Sequence, residues 1–217
     1  MSEYSEAEQY ERAKAWTRAN GPWIVAGIAI GALLLGGWRW YQDRHDSQAE
    51  TASARYDEMV TALNRGDRAR SLTIADDINR EYAWTPYATL ATLLAARVHV
   101  DANELDKAAA GLKSVMDTSP DKEMRMIARL RLARVQAAQA KYDDALATLK
   151  VDDPGEFATR LADVRGDVLL AKGDRTGALR EYLAARAGEN KGRVDAELLD
   201  LKIRDLGGTP PATADAS

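Results

Sequence analysis

The chain has 217 residues, 40 of them Ala and 23 Leu, against 17 Val and Ile together and one Phe. Helix formers outweigh β-branched residues, which excludes a sheet-dominated protein and predicts an all-α fold. With no Cys there is no disulfide framework, thiol nucleophile or Cys-ligated metal centre, and a net charge of −4 disfavours a general nucleic-acid binder.

Residues 1–20 form a short charged tail, acidic first and then basic. Between Arg18 and Arg39 lie 20 residues without a charge. A helix over 22–41 spans about 30 Å at 1.5 Å per residue, the thickness of a hydrocarbon core. Pro22 suits a first helical turn, where its missing N–H costs nothing. Trp23 at one end and Trp38, Trp40 and Tyr41 at the other are spaced like interfacial aromatic belts, and Arg39 can extend its guanidinium to head groups. A cleaved signal peptide has a shorter apolar run that ends in small residues, whereas this one ends in GWRWY. Segment 21–41 therefore reads as an uncleaved transmembrane signal anchor.

Arg12, Lys14 and Arg18 precede the span, and Arg39 and Arg44 follow it, a small bias toward a cytoplasmic N-terminus. Gly27 and Gly31 stand one helical turn apart and form a candidate packing face for another membrane helix. Residues 42–53 are polar and helix-compatible, and either continue the helix or link it to the next domain.

Residues 54–206 show internal repetition. LDKAAAGL at 105–112, YDDALATL at 142–149 and RTGALREY at 175–182 each carry Ala at the fourth position: Ala108, Ala145 and Ala178. RARSLTIA at 68–75 is a further copy, with Ser71 in that place. Twelve residues upstream of the three stronger copies stand Ala96, Ala133 and Gly166, all small. Leu112, Leu149 and Tyr182 stand four positions after Ala108, Ala145 and Ala178. Two of the turns share Gly-Asp-Arg, at 66–68 and 173–175. The pattern predicts three to four antiparallel helix pairs stacked in a right-handed solenoid, with small residues where helices cross. Residues 194–206 read as a final capping helix, and 207–217, rich in Pro, Gly, Ala and Thr, as a disordered tail.

The period near 34 and the small-residue positions resemble the tetratricopeptide repeat, with His99, Gln136 and Leu169 replacing the usual first-helix aromatic. The whole arrangement resembles the ancillary subunit of the bacterial SecYEG translocon. The resemblance rests on the tail ending in Asn20-Gly21, GWRWY at 37–41, NELDKAAAGL at 103–112, LRLARVQ at 130–136 and ADVRGDVLLAKGDRTGA at 162–178. The Pro-containing tail after Gly207 lies outside it. The resemblance implies a single-pass inner-membrane protein with a cytoplasmic N-terminus and a periplasmic repeat domain. It also implies two partners: the SecYEG translocon and a membrane-anchored periplasmic chaperone of the peptidyl-prolyl isomerase class. The implied role is to help pass secreted chains from channel to chaperone.

No catalytic motif is present: no phosphate-binding loop, nucleophile elbow, H-E-x-x-H or EF-hand. No enzyme activity, cofactor or metal is expected. His45 reads as a solvated juxtamembrane residue, and His99 as a packing or rim residue. Asp76–Asp77 and Asp143–Asp144 read as solvated helix faces. The LRLARVQ helix has Arg125 and Arg129 four apart and Arg131 and Arg134 three apart, suited either to neighbouring acids or to an acidic partner.

The first expectation is a membrane-tethered interaction module, with Tyr87, His99 and Gln136 as candidate inner-face residues. The alternatives are a holdase-like chaperone that binds unfolded secreted chains directly, with Trp84 as its best apolar contact, or a scaffold for another envelope complex facing the cytoplasm.

Overall fold

The computed structural model describes residues 6–188 and 194–211. Among them are nine α-helices, one short 3-10 turn and no strand. The chain divides into two compact units, Met1–Thr51 and Ala52–Ser217.

Helix α1, Glu6–Asn64, begins in the first unit. The sequence predicts a helix start at Pro22, but the helix already begins at Glu6 and runs through that position. The reason is local. Residues 6–20 are rich in Ala, Glu, Arg, Lys and Gln, strong helix formers, and these outweigh the one backbone hydrogen bond that Pro22 removes. Thr17 and Asn20 donate side-chain hydrogen bonds to the carbonyls of Ala13 and Trp16, so their polar groups are paired within the helix. Residues 42–53 are helical as well, so no break marks either end of the apolar stretch.

Within α1, Trp23–Trp40 is long and apolar enough to cross a membrane, and none of it is buried in the chain. Trp23 is 79% exposed and Leu33 76%. The side chains of Pro22, Tyr41 and His45 lie outside the described residues.

The second unit is the repeat. Residues 52–64 of α1 pair with α2, Arg68–Glu81. Then come α3, Pro86–Asp101, with α4, Leu105–Thr118, and α5, Lys122–Ala138, with α6, Tyr142–Thr148. A 3-10 turn, Gly155–Phe157, leads into α7, Ala158–Lys172, which pairs with α8, Arg175–Ala187. Helix α9, Ala196–Asp205, packs on α8 and closes the stack.

All four pairs turn in the same way. The first helix ends on a residue in the left-handed region: Gly66, Asn103, Ala140 and Gly173. The next amide then bonds back to a carbonyl one turn down: Asp67 to Ala62, Glu104 to His99, Lys141 to Gln136 and Asp174 to Leu169. This is the Schellman closure, which satisfies carbonyls the helix end would leave orphaned. The Gly-Asp-Arg motif thus has two physical parts. Gly adopts positive φ without strain, and Asp67 or Asp174 caps the following helix by accepting from the amide of Arg70 or Gly177. Glu104 and Lys141 make no such cap.

The expected fourth-position residues are at the crossings. Ser71, Ala108, Ala145 and Ala178 are fully buried. A second rule joins positions sixteen apart: Met59 with Ala75, Ala96 with Leu112, Ala133 with Leu149, and Gly166 with Tyr182. Each couple has one small and one large member, and Met59, Leu112, Leu149 and Tyr182 are all at most 2% exposed. In the first pair the large residue has changed sides. At Gly166 the compensation is most complete, because a methyl group there would overlap the Tyr182 ring.

The tail reading changes at its start. Gly207, at positive φ, and Gly208, whose amide bonds to the Ile203 carbonyl at 2.9 Å, form the Schellman closure of α9. The expected disorder of 212–217 lies outside the described residues, as does the N-terminal stretch 1–5.

Candidate functional site

The first helices of successive pairs touch one another: α3 meets α5, and α5 meets α7. They line one face of the repeat, and α5 runs along its middle. The four arginines of α5 divide into two sets. Arg125 donates to the Ser119 carbonyl at the end of α4, and Arg129 to the Thr148 carbonyl at the end of α6. These two replace missing helix-end partners. Arg131 and Arg134 are exposed on the inner face.

A depression lies on each side of these two arginines. The one between α3 and α5 has a volume of about 310 Å³ and is lined chiefly by Leu93, Ala96, Val100, Leu112 and Val135, with Arg97 at its edge. The other, between α5, α7 and the start of α9, has a volume of about 380 Å³ and combines Ile127, Leu130 and Leu198 with Arg160 and Asp163. Arg131 and Arg134 belong to both, so the depressions form one groove with a basic ridge.

The C-terminal end of this groove is held by a charge network. Lys202 of α9 donates to Asp163 at 2.8 Å and to Asp167 at 2.6 Å, both on α7. The Tyr182 hydroxyl also donates to Asp167, at 2.9 Å, and the Lys202 ammonium lies 5.0 Å from the Tyr182 ring centre. Burial alone lowers the Lys202 pKa, but the hydrogen bonds and charges of Asp163 and Asp167 outweigh it and leave the group above its ordinary value. Burial, then the charge of Asp167, holds the Tyr182 phenol protonated well above the usual tyrosine range. Arg186 of α8 and Asp200 of α9, both largely buried, pair at 2.7 Å. The network was not legible in the sequence, because its members lie up to 39 positions apart. One signal was there. Asp163 and Asp167 sit one turn apart on a helix, where like charges repel unless another element supplies a cation.

The residues expected to form an inner-face site are placed separately. Tyr87 packs against Tyr56, ring centres 6.1 Å apart, in the core of the first pair. The His99 Nδ1 donates to Glu104 at 2.6 Å across the α3–α4 turn. That bond first, and then the one from Lys107, holds the Glu104 carboxyl below the usual range. Gln136 accepts from the Thr148 hydroxyl at 2.8 Å and ties α5 to α6. Trp84 is 44% exposed in the α2–α3 connection. None of the four lines either depression. Gly27 and Gly31, in the first unit, have no chain atom within 4 Å of where a Cβ would stand, so that face is open. Among the described residues, no three His, Asp or Glu side chains gather as a metal site.

The fold and groove define a class: a helical-repeat protein with a candidate membrane helix and a groove along the first helices of its pairs. A family model described as a tetratricopeptide repeat-like domain matches residues 14–208. Proteins named "Ancillary SecYEG translocon subunit" align along nearly the whole chain. The one from Escherichia coli is 34% identical, covering 93% of this chain and 97% of its own length. Those from Neisseria gonorrhoeae and Haemophilus influenzae are 31% and 27% identical, with the same coverage. The chain belongs to the tetratricopeptide repeat-like family and, within it, to the ancillary SecYEG translocon subunits.

Proposed function

We propose that the protein is a single-pass inner-membrane subunit of the SecYEG translocon. Its repeat domain faces the periplasm and links the channel to a membrane-anchored peptidyl-prolyl isomerase-type chaperone. The observation that carries this reading is the alignment with translocon subunits through both the apolar helix and the repeat. The apolar helix supports a span, and the basic bias of its N-terminal flank supports a cytoplasmic N-terminus.

The mechanism is binding and proximity, not catalysis. A tethered domain near the channel exit meets partners at an effective concentration far above its average in the cell. Modest affinity for each partner then suffices, and the chaperone stays near emerging chains without a tight complex. Two experiments test this reading. A periplasm-only reporter enzyme fused after Ser217 is expected to be active, and inactivity sinks the orientation. The full-length chain, purified in mild detergent, is expected to bring channel subunits with it. Replacing the span with an unrelated apolar helix is expected to reduce that yield, and an undiminished yield removes the span from recognition.

A further inference from the structure

We infer that the groove over α5 receives a segment of another protein in which two apolar side chains, about three residues apart, flank acidic ones. This deepens the interaction-module reading and rests on it.

The charge pattern comes first. The chain is acidic overall, yet the groove ridge is basic. Among the described residues, the Arg131 guanidinium has no hydrogen bond or ion pair. The nearest acid to Arg134 is Asp163, at 4.0 Å, and that carboxylate already accepts from Lys202 at 2.8 Å. Arg125 and Arg129 are engaged by helix ends, so the ridge retains positive charge that the fold does not use. Guanidinium groups beside apolar surface pair best with carboxylates, in fork geometry and partly shielded from water.

The apolar pattern comes second. Five large apolar side chains of the repeat unit are exposed among the described residues: Trp84, Val100, Leu170, Leu198 and Leu201. Two of them, Val100 and Leu198, line the groove on opposite sides of the ridge. Adjacent helices pack with axes roughly 8–10 Å apart, which sets the distance between the two depressions. A chain in the polyproline-II conformation has three residues per turn and advances about 3.1 Å per residue, so side chains three positions apart lie on one side and reach both. A lipid headgroup would satisfy the arginines but leave both apolar floors in water. A peptide with acids between two leucines covers all three.

The test uses full-length protein in detergent and short labelled peptides in which two leucines flank Glu-Glu, Gln-Gln or Lys-Lys. Fluorescence anisotropy is expected to rank Glu-Glu above Gln-Gln, with Lys-Lys weakest. Arg131→Gln is expected to weaken the Glu-Glu peptide by roughly tenfold, a loss of about 1.4 kcal/mol. Arg131→Glu with Arg134→Glu is expected to reverse the order in favour of Lys-Lys. Circular dichroism checks that both variants remain helical, and Arg131→Gln leaves Asp163 and its partners untouched. Binding that ignores peptide charge, or that Arg131→Gln does not change, overturns the proposal. So does preferential binding of phosphatidylglycerol vesicles, which assigns the ridge to lipid, or self-association abolished by Arg131→Gln, which assigns it to a second copy. A photo-crosslinker at Leu35 separates the two readings. If it still captures channel subunits while the peptide test fails, the groove proposal falls and the translocon reading stands.

Discussion

The stretch Trp23–Trp40 and helix α5 are both helical and rich in large apolar residues, and they treat those residues in opposite ways. In α5, Leu130, Leu132, Ala133 and Val135 are buried against neighbouring helices, and the arginines occupy the remaining surface. In Trp23–Trp40 no residue is buried. The apolar side chains of α5 are covered by the chain's own repetition, whereas those of the span surround the whole helix and have no partner in the fold. An amphipathic helix is completed by a protein core, and one that is apolar on every face is completed by lipid.

The largest predicted effect breaks the span. Leu34→Arg places a charge near its middle at a cost of about 3 kcal/mol for insertion. The protein is expected to shift from the membrane to the soluble fraction on fractionation. The repeat domain is expected to melt at an unchanged temperature, because no residue of its core is touched.

The next effect breaks the repeat. Gly166→Ala forces a methyl group into the Tyr182 ring, which Asp167 and Lys202 hold in place. We expect a loss of roughly 2–3 kcal/mol, the upper range for overpacking. Adding Tyr182→Leu recreates the Ala–Leu couple of the two middle pairs and is expected to recover most of that loss. Thermal melts of the single and double variants measure the coupling, and no recovery would contradict the size rule.

Lys202→Met removes the cation shared by two acids and is expected to cost about 1–2 kcal/mol. The pH dependence has a definite sign. The Lys202 pKa is raised on folding, so its contribution is complete below about 10.4, the unfolded value, and is lost only as pH rises through the higher folded value. The gap between wild type and variant should therefore hold across neutral pH and close in strong alkali. A gap that closes between neutral pH and the unfolded value contradicts the network.

The smallest effect is a gain. Ala140 is exposed and sits at φ 59, where Gly66 and Gly173 serve the other turns. Ala140→Gly relieves left-handed strain and is expected to stabilise by about 0.5–1 kcal/mol, net of the added freedom of the unfolded chain. Denaturant midpoints decide it.

These turns show how much was legible in the sequence. Helix pairs, their small crossing residues and the apolar stretch follow from local patterns, and local patterns carry element type well. The shared turn was half visible, because Gly-Asp-Arg occurs twice, whereas Asn103 and Ala140 reach the same conformation without its signature. The helix starts at Glu6 and not at Pro22, because a residue suited to a first turn marks a start only where the fifteen residues before it, 6–20, are not themselves good helix formers. The groove was least legible. Tyr87, His99 and Gln136 tie helices and turns together and do not line the two depressions, because repeat position alone does not say which side of a helix faces inward. Arg131 and Arg134 were visible as a basic pair, but only the packing of α3, α5 and α7 separates them from Arg125 and Arg129.

The most direct test of the central claim is one photo-crosslinking scan in living cells, with probes at Ile28 and Leu35 in the span and at Arg97 and Arg160 on the groove. The account predicts that the span probes capture channel subunits and the groove probes capture a periplasmic chaperone. Cytoplasmic partners on the groove probes, or a broad spread of nascent secreted chains in place of one chaperone, would contradict it.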